Sequence, residues 1–233
     1  MFDADDENIG AMLGTELVTI IVGEEKRKFV VHQQLICGSV WYFDVAFSTS
    51  RFREGQEKRM EMPEDDPEAF ELFTHWLYRG SVPRPFDADG FDHLVSLYVF
   101  AEKLCINEVA DKTIDAIISG DYSMQPEMTP KRVERIWLNT LPTSPLRKWC
   151  IHALVDKLCD FETPDEEKET PGFLNRFNLV QLWDIMPYNC DLYTAFFLQA
   201  QEHSAVNLPK DAFTAGGWER CYFHQHSEEE FCH

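Results

Sequence analysis

The chain has 233 residues and carries 41 Asp and Glu against 21 Lys and Arg, for a net charge of −20. That acidic surplus, spread along the whole chain, argues against partners bound through phosphates, whether nucleic acid or an anionic membrane surface. With 44% apolar residues the chain can bury a core of its own without disulfides or metals, no apolar run reaches the ~18 residues of a membrane helix, and the start MFDADDENIG has no basic and apolar secretory pattern.

Residues 1–15 are acidic and polar and are expected to be flexible. Leu17–Val22 (LVTIIV) reads as a strand buried on both faces. The polar stretch Glu24–Arg27 reads as a turn, and Lys28–His32 (KFVVH) as the returning strand of a hairpin. Two short helices fit Gln33–Phe47, and Arg59–Met62 (RMEM) alternates as a short strand does. Asp66-Pro67 is a helix start, an acidic cap followed by proline at the first helical position. Ala69, Phe70, Leu72, Phe73, Trp76 and Leu77 then share one face, and Gly80 stops the helix. Pro83 to Gly90 reads as a loop, Phe91–Leu104 as an apolar helix, and Asn107 as the cap of the next helix, which Gly120 ends.

A proline-containing linker, Gln125 to Pro130, leads into a region read as entirely helical. Thr129-Pro130 and Ser144-Pro145 repeat the cap-and-proline signal, and further helices fit Phe173–Met186 and Asp191–Glu202. Helix pairs joined by short loops suggest a small all-α region. Seven cysteines, an odd number without a secretory signal, read as reduced thiols of a cytoplasmic or nuclear protein. Cys105, Cys150, Cys159 and Cys190 lie in apolar segments and are expected to be buried.

The order hairpin, two short helices, short strand, helix, loop, helix, helix resembles the BTB/POZ domain. Phe29-Val30-Val31-His32 followed by Leu35-Ile36-Cys37 and Phe43 is similar to that family's "F-x-x-H-x-x-L-L … S-x-x-F" stretch. Met60-Glu61-Met62-Pro63, then Phe70, then Trp76-Leu77-Tyr78-Arg79-Gly80 resembles its third strand and following helix. Leu94-Val95 with Ala101-Glu102-Lys103-Leu104 resembles its "L-l-x-l-y-x-l-A-d-k-l" helix. The resemblance covers about residues 14–120 and is nearest to fungal members without kelch repeats or zinc-finger arrays. Two departures stand out: Val40 where most members have serine, and Glu16 or nothing for the aspartate before the first strand. The second bears on the domain-swapped dimer of many members.

The resemblance implies an α/β (α+β) chain. A BTB/POZ fold over 16–120, with a small mixed sheet and surrounding helices, is followed by an all-α extension over 121–206 and a tail over 207–233. It implies protein binding rather than catalysis. Phe52-Arg53-Glu54 falls where ligase adaptors of the family carry the hydrophobic-x-Glu triplet that contacts a cullin scaffold. The partners so implied are a cullin and an unknown client, or a second copy in a homodimer. A scaffold or transcription-associated oligomer without any ligase role is the alternative. His32 is expected to be a structural, hydrogen-bonded core histidine, and the stripe Phe70/Phe73/Trp76 to be core.

One further cluster stands apart from that family reading. Cys221, His224, His226 and Cys232 spell C-x2-H-x-H-x5-C, a set that could hold a structural zinc ion; a frayed tail with incidental Cys and His fits equally. A hydrolase built on that cluster would need an open metal position or a low-pKa thiol. No Gly-rich phosphate loop, Gly-x-Ser-x-Gly elbow or His-Glu-x-x-His occurs.

Overall fold

Leu17–Val22 (β1) and Arg27–His32 (β2) form an antiparallel hairpin, with Leu17 opposite His32 and Val22 opposite Arg27. The structure is a computed structural model that describes residues 13–49, 51–119, 128–159, 189–205 and 223–225. β1 is the central strand, which is why its apolar run is continuous. Val18, Ile20, Ile21 and Val22 are all buried, and only its first residue, Leu17, stands in solvent. Gly23 turns the chain at φ 75°, and a Cβ there would meet the Pro67 ring at 2.7 Å, so glycine is required on both counts.

Gln33–Ser39 (α1) and Trp41–Phe47 (α2) follow as read from the sequence. Val40, in the place of the family serine, links them. It makes no side-chain cap; its side chain is buried, and its carbonyl accepts from the N–H groups of Phe43 and Asp44 at 3.1 Å. Arg53–Glu57 is a further short helix, α3, which the sequence pattern did not announce. Arg59–Met62 (β3) lies parallel to β1, with Thr19 opposite Arg59 and Val22 opposite Met62, giving the sheet order β2-β1-β3. Met60 and Met62 are buried while Arg59 and Glu61 are exposed, the two-residue period of a one-sided strand.

Pro67–Arg79 is α4. The Asp66 carboxylate accepts the Glu68 N–H at 3.0 Å, and Gly80 closes the helix at φ 67°. Its inward face is aromatic: the Phe73 ring centroid lies 5.4 Å from Phe70, 5.3 Å from Phe100 and 6.1 Å from Phe43. Ala88–Lys103 (α5) starts three residues before the sequence suggested, because the Asp87 carboxylate accepts the Gly90 N–H at 2.8 Å and caps it. Asn107–Ile118 is α6. Between α5 and α6, Cys105 adopts the left-handed conformation (φ 56°). Its N–H meets Glu102 O at 3.1 Å and the Ile106 N–H meets Ala101 O at 2.8 Å, the Schellman pattern usually built on glycine. This corrects the expectation that Cys105 is buried: a cap residue faces solvent.

The chain divides into two compact units. One contains the described residues up to Pro83 together with Ser96–Thr113; the other contains Arg84–Val95 and the described residues from Ile114 onward. In the second unit, Pro130–Asn139 (α7) is capped by Thr129, Pro145–Cys159 is α8, and Cys190–Ala205 is α9. The helix expected at 173–186 lies outside the described residues. Cys150 is buried as expected, Cys190 at the start of α9 is exposed, and the Cys159 side chain is outside the described residues.

Two arginines organise this second unit. Arg132 donates to both oxygens of Asp92, at 2.6 and 3.0 Å. The buried Arg147 donates to Thr140 Oγ1 (3.0 Å), Thr140 O (2.6 Å), the carbonyl of Trp137 and Asp191 Oδ2 (2.9 Å), with its guanidinium 4.9 Å from the Trp137 ring centre. Asp191 Oδ2 also accepts the Trp137 indole N–H at 2.8 Å.

Candidate partner-binding site

Phe52 holds an extended backbone (φ −98°, ψ 151°) directly before α3, and 48% of it is exposed. Its carbonyl accepts the Gln56 N–H at 3.3 Å, which opens the helix. Lys58, left-handed at φ 51°, closes it by giving its N–H to Glu54 O. Gly55 lets this turn lie down on the preceding segment: a Cβ at that position would come within 2.1 Å of Thr49 O. The ring of Phe52 is therefore presented by a backbone held at both ends, which lowers the entropy lost when a partner covers it.

Within the triplet the charges divide. Arg53 Nε donates to Glu57 Oε1 at 2.6 Å along the helix surface, which raises the Arg53 guanidinium above its ordinary pKa and lowers the Glu57 carboxyl below its own. Arg53 is thus already engaged. No described residue hydrogen-bonds to the Glu54 side chain. An exposed aromatic ring and an uncommitted carboxylate two residues apart can fill an apolar pocket and pair with a base on another protein.

His32 takes the structural role expected of it, but half-buried at the sheet edge rather than in the core. The Tyr78 hydroxyl accepts the His32 backbone N–H at 3.1 Å and lies 2.8 Å from Nδ1. The two contacts tie the strand end to α4 through a single phenol. The tyrosine was visible in the sequence only as part of a motif.

Of the C-terminal set, Cys221, His226 and Cys232 lie outside the described residues. His224 donates from Nε2 to Asp115 Oδ1 at 2.9 Å, and the neighbouring Phe223 is buried, its ring 5.7 Å from that of His152. Among the described residues no three His, Cys, Asp or Glu side chains gather closely enough to hold a metal ion. No described helix is long and apolar enough to cross a membrane.

The mixed sheet, the paired short helices behind it and the aromatic α4 reproduce the element order that the sequence motifs carry. Residues 16–120 match the family model of the BTB/POZ domain. This segment is a BTB/POZ domain. Such domains mediate protein–protein interaction, self-association included, and are generally not enzymes, so the BTB segment is a protein-binding module. No curated protein matched the chain. The helical residues beyond 120 lie outside the BTB match.

Proposed function

We propose that the chain is an adaptor whose BTB domain docks on a cullin-type ligase scaffold through Phe52 and Glu54, while another part of the chain holds a client. The mechanism is tethering: a client held beside the ligase experiences a raised effective concentration, and no residue of the chain performs chemistry. One observation carries this reading, the half-exposed Phe52 fixed ahead of a one-turn helix whose Glu54 carboxylate has no described partner. The test is calorimetric titration of the full chain with a cullin N-terminal region. Binding at about micromolar strength, weakened at least about tenfold by Phe52→Ala/Glu54→Ala in a folded sample, is the expected outcome. Absence of binding at tens of micromolar discards it.

A self-associating scaffold is the second reading, favoured by Trp41 and Tyr42, exposed together at the start of α2. Light scattering on the same sample decides it, since a strict monomer is incompatible with that reading.

A further inference from the structure

The outer edge of β2 carries a feature that the Phe52 surface does not use. Thr19 in the central strand gives its N–H to Lys58 O, at the start of β3, at 3.0 Å. Backbone polarity alternates along a strand, so Val18, Ile20 and Val22 turn their amides the other way, toward their β2 partners Val31, Phe29 and Arg27. Lys28, Val30 and His32 must then point their N–H and C=O groups out of the sheet. The His32 N–H does so visibly, ending on the Tyr78 hydroxyl. β2 is an outer strand of the sheet, and Lys28 and Val30 are exposed, Val30 by 59%. Among the described residues no strand covers this edge.

Beside the edge runs a groove of about 490 Å³, floored by β2 and walled by Thr74, His75, Tyr78 and Arg79 of α4. Its charge is informative. Arg27 is neutralised by Glu68 (2.9 Å) and by Glu71. Lys28 and Arg79 are exposed and have no ion-pair partner among the described residues. Two uncommitted cations therefore flank one groove on a chain of net charge −20. His75 gives one ring N–H to Ser81 O at 2.9 Å, which leaves its other ring nitrogen for a ligand.

We propose that this edge accepts an extended acidic segment of a partner protein, which adds to the sheet as a fourth strand beside β2. Its backbone pairs with the free groups of Lys28 and Val30, and its acidic side chains lie over Lys28 and Arg79. The Tyr78 phenol, already holding the next outward amide, sets the end of the paired stretch. A second copy of this chain is a poorer occupant, because its β2 edge brings the same Lys28 cation instead of acidic side chains; lysine on an edge strand is a common guard against such pairing. The proposal goes beyond the cullin reading and does not depend on it.

The test uses the full chain and two labelled dodecapeptides, one alternating glutamate with valine and one alternating lysine with valine. The glutamate peptide is expected to bind and to slow hydrogen exchange at the Lys28 and Val30 amides. Its affinity is expected to fall at least about tenfold in Lys28→Glu/Arg79→Glu and to stay unchanged in Phe52→Ala/Glu54→Ala. Val30→Pro, which removes one edge donor at a position where proline is tolerated, should weaken binding without touching the charges. The idea is overturned if the glutamate peptide does not bind at millimolar concentration, if the lysine peptide binds as well, or if binding leaves the two amides exchanging freely. Slow exchange at both amides without peptide, rising with protein concentration, would overturn it in favour of self-pairing.

Discussion

The two compact units solve the same problem with different chemistry. The first buries rings: Phe43 stacks on Phe73, while Phe70, Phe73 and Phe100 meet edge-on and tilted, and the cost of ordering them is offset by apolar area and dispersion. Among its described residues, the one buried side-chain polar atom without a hydrogen-bond partner, the Trp76 indole nitrogen, also belongs to an aromatic side chain. The second unit buries a cation. Arg147 serves four acceptor groups at once and holds the end of α7, the following turn and the start of α9 in one place. The lesson is about tolerance: a dispersive core accepts any side chain of similar shape, whereas a donor fork accepts only another fork.

Substitution can break this contrast. Phe73→Ala should cost about 3–5 kcal/mol in denaturant unfolding, and Phe73→Leu much less, under about 2 kcal/mol. Arg147→Ala should cost about 2–4 kcal/mol, because two buried carbonyls lose their donor. Arg147→Lys should recover little of that, since a single ammonium cannot reach the same set. A lysine variant as stable as the parent would show that the network contributes packing rather than hydrogen bonds.

Acid should sharpen the difference. Burial pushes the Asp191 carboxyl up, but the Trp137 indole, two backbone N–H groups and Arg147 together outweigh it and hold the carboxyl below its ordinary value. A carboxyl with a lowered folded pKa stabilises the protein above its unfolded pKa of about 3.9 and loses that contribution as pH falls through the folded value. Protection of α7 and α8 amides from hydrogen exchange is therefore expected to drop below about pH 4, with a shallower drop in Asp191→Asn. The effect is modest because Asp191 keeps more than half of its side chain in solvent. An equal acid response in β1 and α4 would remove the distinction.

The smallest expected effect concerns thiols. Burial in an apolar site raises the Cys150 thiol far above its ordinary pKa, while Cys105 and Cys190 are exposed. Alkylation followed by peptide mapping should label Cys105 and Cys190 in the native protein and Cys150 only after denaturation. Labelling of Cys150 in native buffer would mean that the second unit opens readily.

Legibility followed the range of the interaction. Caps, strand alternation and the aromatic stripe of α4 are local patterns, so Asp66, Thr129, Met60, Met62 and Phe70 stood where their neighbours required. Phe52, Arg53 and Glu54 stand out only through a motif, and their short helix has no signature in the sequence because five residues carry no periodicity. The position of Cys105 was missed because its left-handed cap is made by a cysteine where glycine is usual, and composition pointed to burial. Arg147, two places into a helix, reads in sequence as a surface cation. No local signal shows that its acceptors come from α7, the turn after it and a helix more than forty residues away.

By itself the sequence determined the hydrogen-bonding period of the longer elements, their apolar faces and the BTB order of strands and helices, because each depends on residues within one or two turns of each other. Only the tertiary structure decided which backbone groups of β2 face outward, which charges are left without partners and which buried cation gathers the second unit. Those properties belong to pairs of residues distant in sequence, and their free energies depend on desolvation and geometry that appear only when the chain has folded.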